Sequence, residues 1–381
     1  MFTPHVPVAA RGRSIAVLRP RFTNVSRRSL MSGAPRMSAS PALTSTRTDE
    51  ASASVEGRHN QVLPAKHTSY ALTREDAVST VPDTMREVKG DWVLFHPVYT
   101  AEELRSVAVM HRDAKTISDN IAWSFVRLLR WGFDVVSGYK HKPLPTTACV
   151  LSLDALRNGG YIMDERQWLR RFLFLESIAA VPGMVAATLR HLRSLRLMRR
   201  DSGWIHTLLE EAENERMHLM TFMTLRQPSL LFRAMVLGAQ GFFYNMFFLC
   251  YMISPSTCHR FVGHLEEEAV LTYTRCIKEM EAGRLPQWSN LPAPDIAKDY
   301  WRLGPDAKFL DVIYAVRSDE STHRFVNHSL ANLDHKTDVN PFALREPDMS
   351  TKGSKLCFER DEAEKYVEAS HKIIQDGKPI H

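Results

Sequence analysis

Cysteine is scarce: five residues in 381, scattered at Cys149, Cys250, Cys258, Cys276 and Cys357, with no Cys-x-x-Cys pair. That spacing argues against a zinc–thiolate site or a disulfide framework and suits a reducing compartment. Acids and lysines are absent from the first 48 positions, where eight arginines stand (Arg11, Arg13, Arg19, Arg21, Arg27, Arg28, Arg36, Arg47). This stretch contributes +8 to a formal total of +6, leaving −2 for the rest of the chain. The body therefore offers no electrostatic reason to bind nucleic acid. A compact apolar run of the secretory kind is also missing from the N-terminus. An Arg- and Ser-rich, acid-free leader has the composition of an organelle transit peptide, read here as mitochondrial.

No strand pattern and no fixed-period repeat appears, so the expected class is all-α. Residues 1–60 read as a transit peptide and disordered leader, and 61–112 as an arm with scattered prolines and short helical pieces. Helical spacing then predicts segments at 115–139, 164–200 (bent at Pro182-Gly183), 204–226, 230–253, 255–282 and 306–333. Asp201-Ser202 and Ser254-Pro255 read as helix starts, and Gly283 as a stop. Beyond position 343 a polar tail follows, with a short helix at 361–374.

The centre of this organisation is Asn214-Glu215-Arg216-Met217-His218-Leu219. Glu215 and His218, three apart, leave the same face of a helix. A carboxylate and an imidazole on one face suit a divalent transition metal. One such pair proves little, since Glu56 and His59 repeat it by chance in the leader. The pattern recurs, however, in helical context at Glu320 and His323, and Glu176 and Glu266 stand on apolar stripes of two further helices. Two Glu-x-x-His helices and two lone-Glu helices form the ligand set of a di-iron four-helix bundle. The competing reading is a buried salt-bridge network with arginines such as Arg171 and Arg317. Tyr273, seven residues after Glu266, lies on the same face, where spacing alone favours an ordinary buried tyrosine.

Residues 230–253 are long enough to cross a bilayer, but Arg233, Gln240 and Asn245 interrupt them. Residues 115–139 form an amphipathic helix with flanking cations, as expected of a helix lying in the interface. A protein resting on one leaflet is favoured over a span, with a dimer interface or plain core as other uses for these faces.

Four stretches together carry a resemblance. They are Phe174-Leu175-Glu176-Ser177 with Val181-Pro182-Gly183-Met184; Asn214 to Leu219; Leu265-Glu266-Glu267-Glu268-Ala269-Val270; and Arg317-Ser318-Asp319-Glu320 followed by His323-Arg324. Lesser echoes are Phe133-Asp134, Ser137-Gly138-Tyr139 and Asn340-Pro341-Phe342. In this order the chain, over roughly residues 91–342, resembles the alternative oxidases, the cyanide-insensitive terminal quinol oxidases of mitochondria. The resemblance implies a ferritin-like four-helix bundle at 113–342, with two amphipathic or apolar membrane-facing helices. It implies two iron ions per chain held by Glu176, Glu215, His218, Glu266, Glu320 and His323. It gives Tyr273 a role beside the metals and maps a quinol pocket onto Arg130, Asp134, Arg171, Leu175, Ala269 and Thr272. The implied reaction oxidises ubiquinol and reduces oxygen by four electrons to water, without proton pumping. The implied setting is a homodimer on inner-membrane lipid, at the matrix face of the mitochondrial inner membrane.

Two departures stand out. Plant members carry a regulatory cysteine in the N-terminal arm, whereas here none precedes Cys149, which argues against thiol-linked activation by 2-oxo acids. The tail at 343–381 is also longer than the core needs. The alternatives are a plastid-type quinol oxidase, which shares the six ligands, and a ferritin-like iron-storage or structural bundle. Storage would predict a soluble cage without apolar interfacial helices.

Overall fold

The computed structural model describes residue 96 and residues 98–137, 142–145 and 151–376; the predicted leader lies outside them. All of these belong to one compact unit, Asn60–His381. In chain order the helices are α1 Ala101–Ser106, α2 Ile117–Ser137, α3 Leu153–Asn158, α4 Glu165–Ala179, α5 Val181–Leu197, α6 Trp204–Leu225, α7 Leu230–Ile253, α8 Pro255–Glu281, α9 Asp295–Tyr300, α10 Phe309–Asn332, α11 Met349–Ser354 and α12 Arg360–Gln375. Among the described residues the only β pairing is an isolated bridge, Pro292 to Lys308. The all-α expectation holds.

The bundle consists of α4, α6, α8 and α10, with α8 packed along α10 and α4 along α6. Its core is aromatic: Phe172, Phe222 and Tyr273 stack, with Phe172 and Tyr273 ring centroids 4.8 Å apart. Capping chemistry sets several starts. Asp164 and Gln167 form a reciprocal capping box at α4, and Ser254 caps α8 with Pro255 at its first position.

Three boundaries differ from the sequence reading. The predicted bend at Pro182-Gly183 is a break, because Ala180 ends α4 and Val181 opens α5. The last bundle helix starts at Phe309 rather than 306, because Ala307 and Phe309 are held in backbone hydrogen bonds to Ala293 and Leu291. Gly203, at φ 85°, occupies the N-cap of α6, while Asp201 Oδ2 still accepts the Ile205 N–H at 3.1 Å. A further helix, α9, forms within the Pro-rich connection that periodicity left irregular.

The segment read as a polar tail is packed. Met349, Cys357, Phe358 and Ala363 are buried, and Phe358 meets Phe325 of α10 edge-on. The tail also holds the N-terminal arm: Ala108 N–H donates to Gly353 O at 3.0 Å, and α1 lies against α11. Buried Arg324 of α10 donates to Ala108 O at 2.9 Å.

Helices α2 and α7 leave apolar faces uncovered. On α2, Ile117, Ile121, Leu128, Trp131 and Val135 are exposed, and α7 exposes Leu230, Leu231, Leu237, Phe242 and Ile253. The polar interruptions of α7 are each accounted for. Gln240 donates to Ser177 O at 2.6 Å, Asn245 to Gly241 O of its own helix, and Arg233 to Pro228 O and Gln227 at the helix start. The outward surface is thereby kept mainly apolar.

Gly183 permits the α5–α6 approach, since a Cβ there would stand 2.7 Å from Leu208 O, a backbone atom that cannot rotate away. Gly183→Ala should destabilise the fold by about 1–3 kcal/mol, the usual range for overpacking. Chemical unfolding monitored by helical circular dichroism measures it; an unchanged midpoint would refute the close-packing account.

Candidate metal centre

Each bundle helix delivers one acid inward: Glu176 from α4, Glu215 from α6, Glu266 from α8 and Glu320 from α10. His218 and His323 come one turn after Glu215 and Glu320, as their spacing predicts. All six are buried. They form two groups, Glu176–Glu215–His218–Glu320 and Glu215–Glu266–Glu320–His323, with the ligand atoms of each within 4.8 Å of one another. Glu215 and Glu320 belong to both groups, which joins the two into one continuous cluster.

His218 Nδ1 lies 3.4 Å from oxygens of Glu176, Glu215 and Glu320 alike. His323 Nδ1 lies 2.7 Å from Glu215 Oε1. Despite these short separations, both histidine Nδ1 atoms, both Glu215 oxygens and Glu176 Oε2 make no hydrogen bond. Their lone pairs converge on common points instead of on one another. Ligands around an ion with bonds of ~2.0–2.2 Å stand roughly 3–4 Å apart, so the donor set fits divalent metals. An all-oxygen-and-imidazole set suits iron or manganese.

The salt-bridge reading fails on the same evidence. Arg171 pairs with Asp134 at 3.1 Å, and Arg317 donates to Leu104 O and lies over the Tyr314 ring. Among the described residues neither neutralises the cluster. Without a cation, crowding distorts the acids and bases. Burial and then neighbouring Glu215 push Glu176 up to about 8, and burial with Glu320 raises Glu266 well above the carboxylate range. Burial alone would lower His218 and His323, but the carboxylates of Asp319, Glu176, Glu215 and Glu320 around His218, and those of Glu215 and Glu320 around His323, outweigh it and raise both.

Sequence reading missed Asp319, the residue that holds His218. Its Oδ2 lies 3.0 Å from His218 Nε2 and accepts from Asn214 Nδ2 at 3.0 Å and Trp301 Nε1 at 2.9 Å. Its other oxygen accepts from Tyr99 and faces His96 Nε2 at 3.0 Å. A carboxylate on the outer nitrogen fixes the ring with Nδ1 toward the metal. Burial would raise this acid; His96 and His218 overcome it and keep it well below the usual range. A signal was present: each helical Glu-x-x-His is preceded by an Asx residue, Asn214 and Asp319, and these two meet.

Tyr273 hydroxyl donates to Glu176 Oε1, and burial followed by Glu176 raises its pKa well above that of a free phenol. The mapped quinol residues gather in part. Asp134 of α2 accepts from Arg130 Nε at 2.9 Å and from Arg171 Nη1 at 3.1 Å, and Arg130 also pairs with Glu268. Glu268 was not anticipated. Thr272 is buried and donates back to Glu268 O, while Leu175 and Ala269 are half-buried nearby in sequence. In a third group, His264, Glu267 and His328, the last two are tied by a hydrogen bond, while both ring nitrogens of buried His264 lack a partner. The Arg260 guanidinium only donates, so at 2.9 Å it takes His328 Nδ1 as acceptor, leaving Nε2–H to face Glu267 at 2.7 Å.

Two outcomes follow. Asp319→Asn should lower iron(II) affinity about 10–100-fold, as loss of an outer partner usually does; metal content after graded chelation measures it, and an unchanged affinity refutes the role. In the metal-free protein, Glu176 is raised from 4.5 to about 8 and Glu211, buried beside His323, to about 7. Raised acids stabilise below their unfolded pKa and lose that contribution as pH climbs through the folded value. Raised histidines act in the same sense. Thermal melts of chelated protein should therefore fall between pH 5 and 8, while the gain on adding iron(II) grows with pH. A metal gain that shrinks with rising pH contradicts the site.

Residues 99–332 match the alternative oxidase family. The chain is 55% identical over 289 residues to "Alternative oxidase, mitochondrial" of Cryptococcus neoformans var. grubii, covering 75% of this chain and 72% of that protein. It is 57% identical over 265 residues to the protein of the same name from Emericella nidulans, covering 69% and 72%. The Gelasinospora protein of that name is 48% identical over 294 residues, covering 75% and 74%. With the bundle, the six buried ligands and this similarity in place, the chain belongs to the alternative oxidase family.

Proposed function

We propose that the protein is a mitochondrial ubiquinol:oxygen oxidoreductase holding two iron ions, and that two ubiquinols are oxidised as one O2 becomes two waters. The observation that carries this reading is the cluster of four buried glutamates and two histidines, in which Glu176 Oε2, both Glu215 oxygens and the Nδ1 atoms of His218 and His323 lack hydrogen-bond partners. The iron pair, when bound, supplies oxygen binding and redox chemistry. Glu176 and His218 would hold one ion, Glu266 and His323 the other, with Glu215 and Glu320 shared. The protein's own residues do the rest. Burial keeps bulk water from the centre and confines partly reduced oxygen. Asp319 keeps His218 in one tautomer. Tyr273 holds its proton on Glu176 Oε1 and is the group placed to pass a proton and electron inward.

The ubiquinol head is assigned to Arg130, Asp134, Arg171, Leu175, Ala269 and Thr272. Arg171 N–H groups donate to a quinol oxygen, and the Asp134 carboxylate accepts the quinol hydroxyl. Glu268 joins this set through Arg130. The uncovered apolar faces of α2 and α7 support a monotopic seat on one leaflet, so a lipid-soluble substrate enters from the bilayer. The inner membrane, its matrix face and a homodimer complete the reading, as does oxygen consumption without proton pumping.

Membranes containing the recombinant protein should consume oxygen with added ubiquinol in the presence of cyanide, and Glu215→Ala should abolish uptake. Tyr273→Phe should retain iron yet lower the rate by about 10²-fold or more, the scale of a positioned proton donor. Two bound irons per chain without uptake would replace the oxidase reading with iron handling. Absence of both would refute the metal centre.

A further inference from the structure

One cavity in the described structure is distinct from the metal centre and only touches the quinol residues. It has a volume of about 840 Å³ and lies between α4 and α8, bordered by residues 142–144 and by the start of α7. Of the six residues assigned to quinol, Arg171 alone lines it.

Its lining is unbalanced in charge. Lys142, Arg157, Arg170, Arg275, Lys278 and Arg284 line it in addition to Arg171, against one acid, Glu279. Arg284 already takes Glu279, with Nη2 at 3.0 Å, and Arg157 takes Glu165 at 3.1 Å. Lys142 donates to Gly159 O and lies over the Tyr161 ring. Arg170, Arg275 and Lys278 have no ion-pair partner among the described residues. Arg275 and Lys278 are one turn apart on α8 and present their charges side by side. Such cations repel one another, and clustered along a concave wall they raise the local anion concentration.

The rest of the lining is apolar or donor-rich. Phe133, Phe174, Phe232 and Met235 form one wall, and the last two belong to the uncovered helix α7. Trp168, 3% exposed, lines the cavity with an indole N–H that has no acceptor, and Thr274 Oγ1 also lacks a partner. A ligand matching this lining brings acceptor oxygens, more than one negative charge, and room for an apolar portion.

We infer that this cavity is a binding site for a phosphate-bearing ligand, with Arg170, Arg275 and Lys278 as the residues that recognise the phosphate. Arginine forks and a lysine are the standard partners of phosphate oxygens. Two sources share that chemistry: the head group of an anionic phospholipid, with its chains toward α7, and a soluble phosphate. The inference does not depend on which quinol is oxidised, because Arg170, Arg275 and Lys278 lie outside the set assigned to the quinol.

The test uses full-length protein in neutral detergent. One arm titrates inorganic pyrophosphate by calorimetry. The other measures flotation with phosphatidylcholine vesicles with and without phosphatidic acid. Wild-type protein should bind at least one phosphate-bearing probe above the neutral control, and the Arg275→Gln/Lys278→Gln double variant should weaken that binding about tenfold per lost charged contact. Arg199→Gln/Arg200→Gln, on a different basic surface, serves as the control, and cyanide-resistant uptake confirms that both variants fold. Pyrophosphate binding assigns a soluble ligand, and binding to phosphatidic acid alone assigns a lipid head group. No binding to either probe, or equal weakening by the two double variants, overturns the inference.

Discussion

Four carboxylates held inside a helical bundle without a lysine or arginine to meet them are the constraint on which this protein depends. Burying unpaired charge is costly, and a chain of this length could have avoided it by placing leucine or methionine at the same positions. The fold instead spends one inward position on each of α4, α6, α8 and α10 on an acid. Bound metal reconciles that choice with a stable interior. Packing follows from it: the aromatic stack of Phe172, Tyr273 and Phe222 closes one side of the centre, and the Asp319 network closes another.

The legible part of this architecture was the part governed by helical period. Glu215, His218, Glu320 and His323 announced themselves because three residues bring two side chains to one face, and the helix holding each pair formed as expected. Glu176 and Glu266 were legible because an acid inside an apolar stripe demands a partner. Asp319 was not, since its role arises from residues distant in sequence: His96, Tyr99, Asn214, His218 and Trp301. Glu268 was hidden for a similar reason, as its partner Arg130 comes from another helix 138 positions away. The start of α10 depended on backbone pairing with the connection before it, which no local propensity encodes. The tail's short helix forms as α12, but its docking was not legible because polar composition is an average, and Met349, Cys357 and Phe358 are enough to bury part of it.

The outer surfaces obey a different economy. On α7, Gln240 turns inward and donates to Ser177 O in the last turn of α4, before the break to α5. That acceptor on a neighbouring helix lets a polar residue stay within an otherwise apolar helix. The uncovered faces and the cationic cavity adjoin through Phe232 and Met235, so apolar and anionic recognition meet at one rim.

The arm before α1 reaches the metal centre by way of a single carboxylate. Asp319 accepts from Tyr99 and faces His96 on one oxygen, and contacts His218 through the other, so arm and metal ligand bind the same group. Binding energies coupled in this way are reciprocal. Whatever factor a seated arm adds to metal affinity, a bound metal adds to the seating of the arm. The seating of His96 and Tyr99 and the orientation of His218 thus depend on one shared carboxylate.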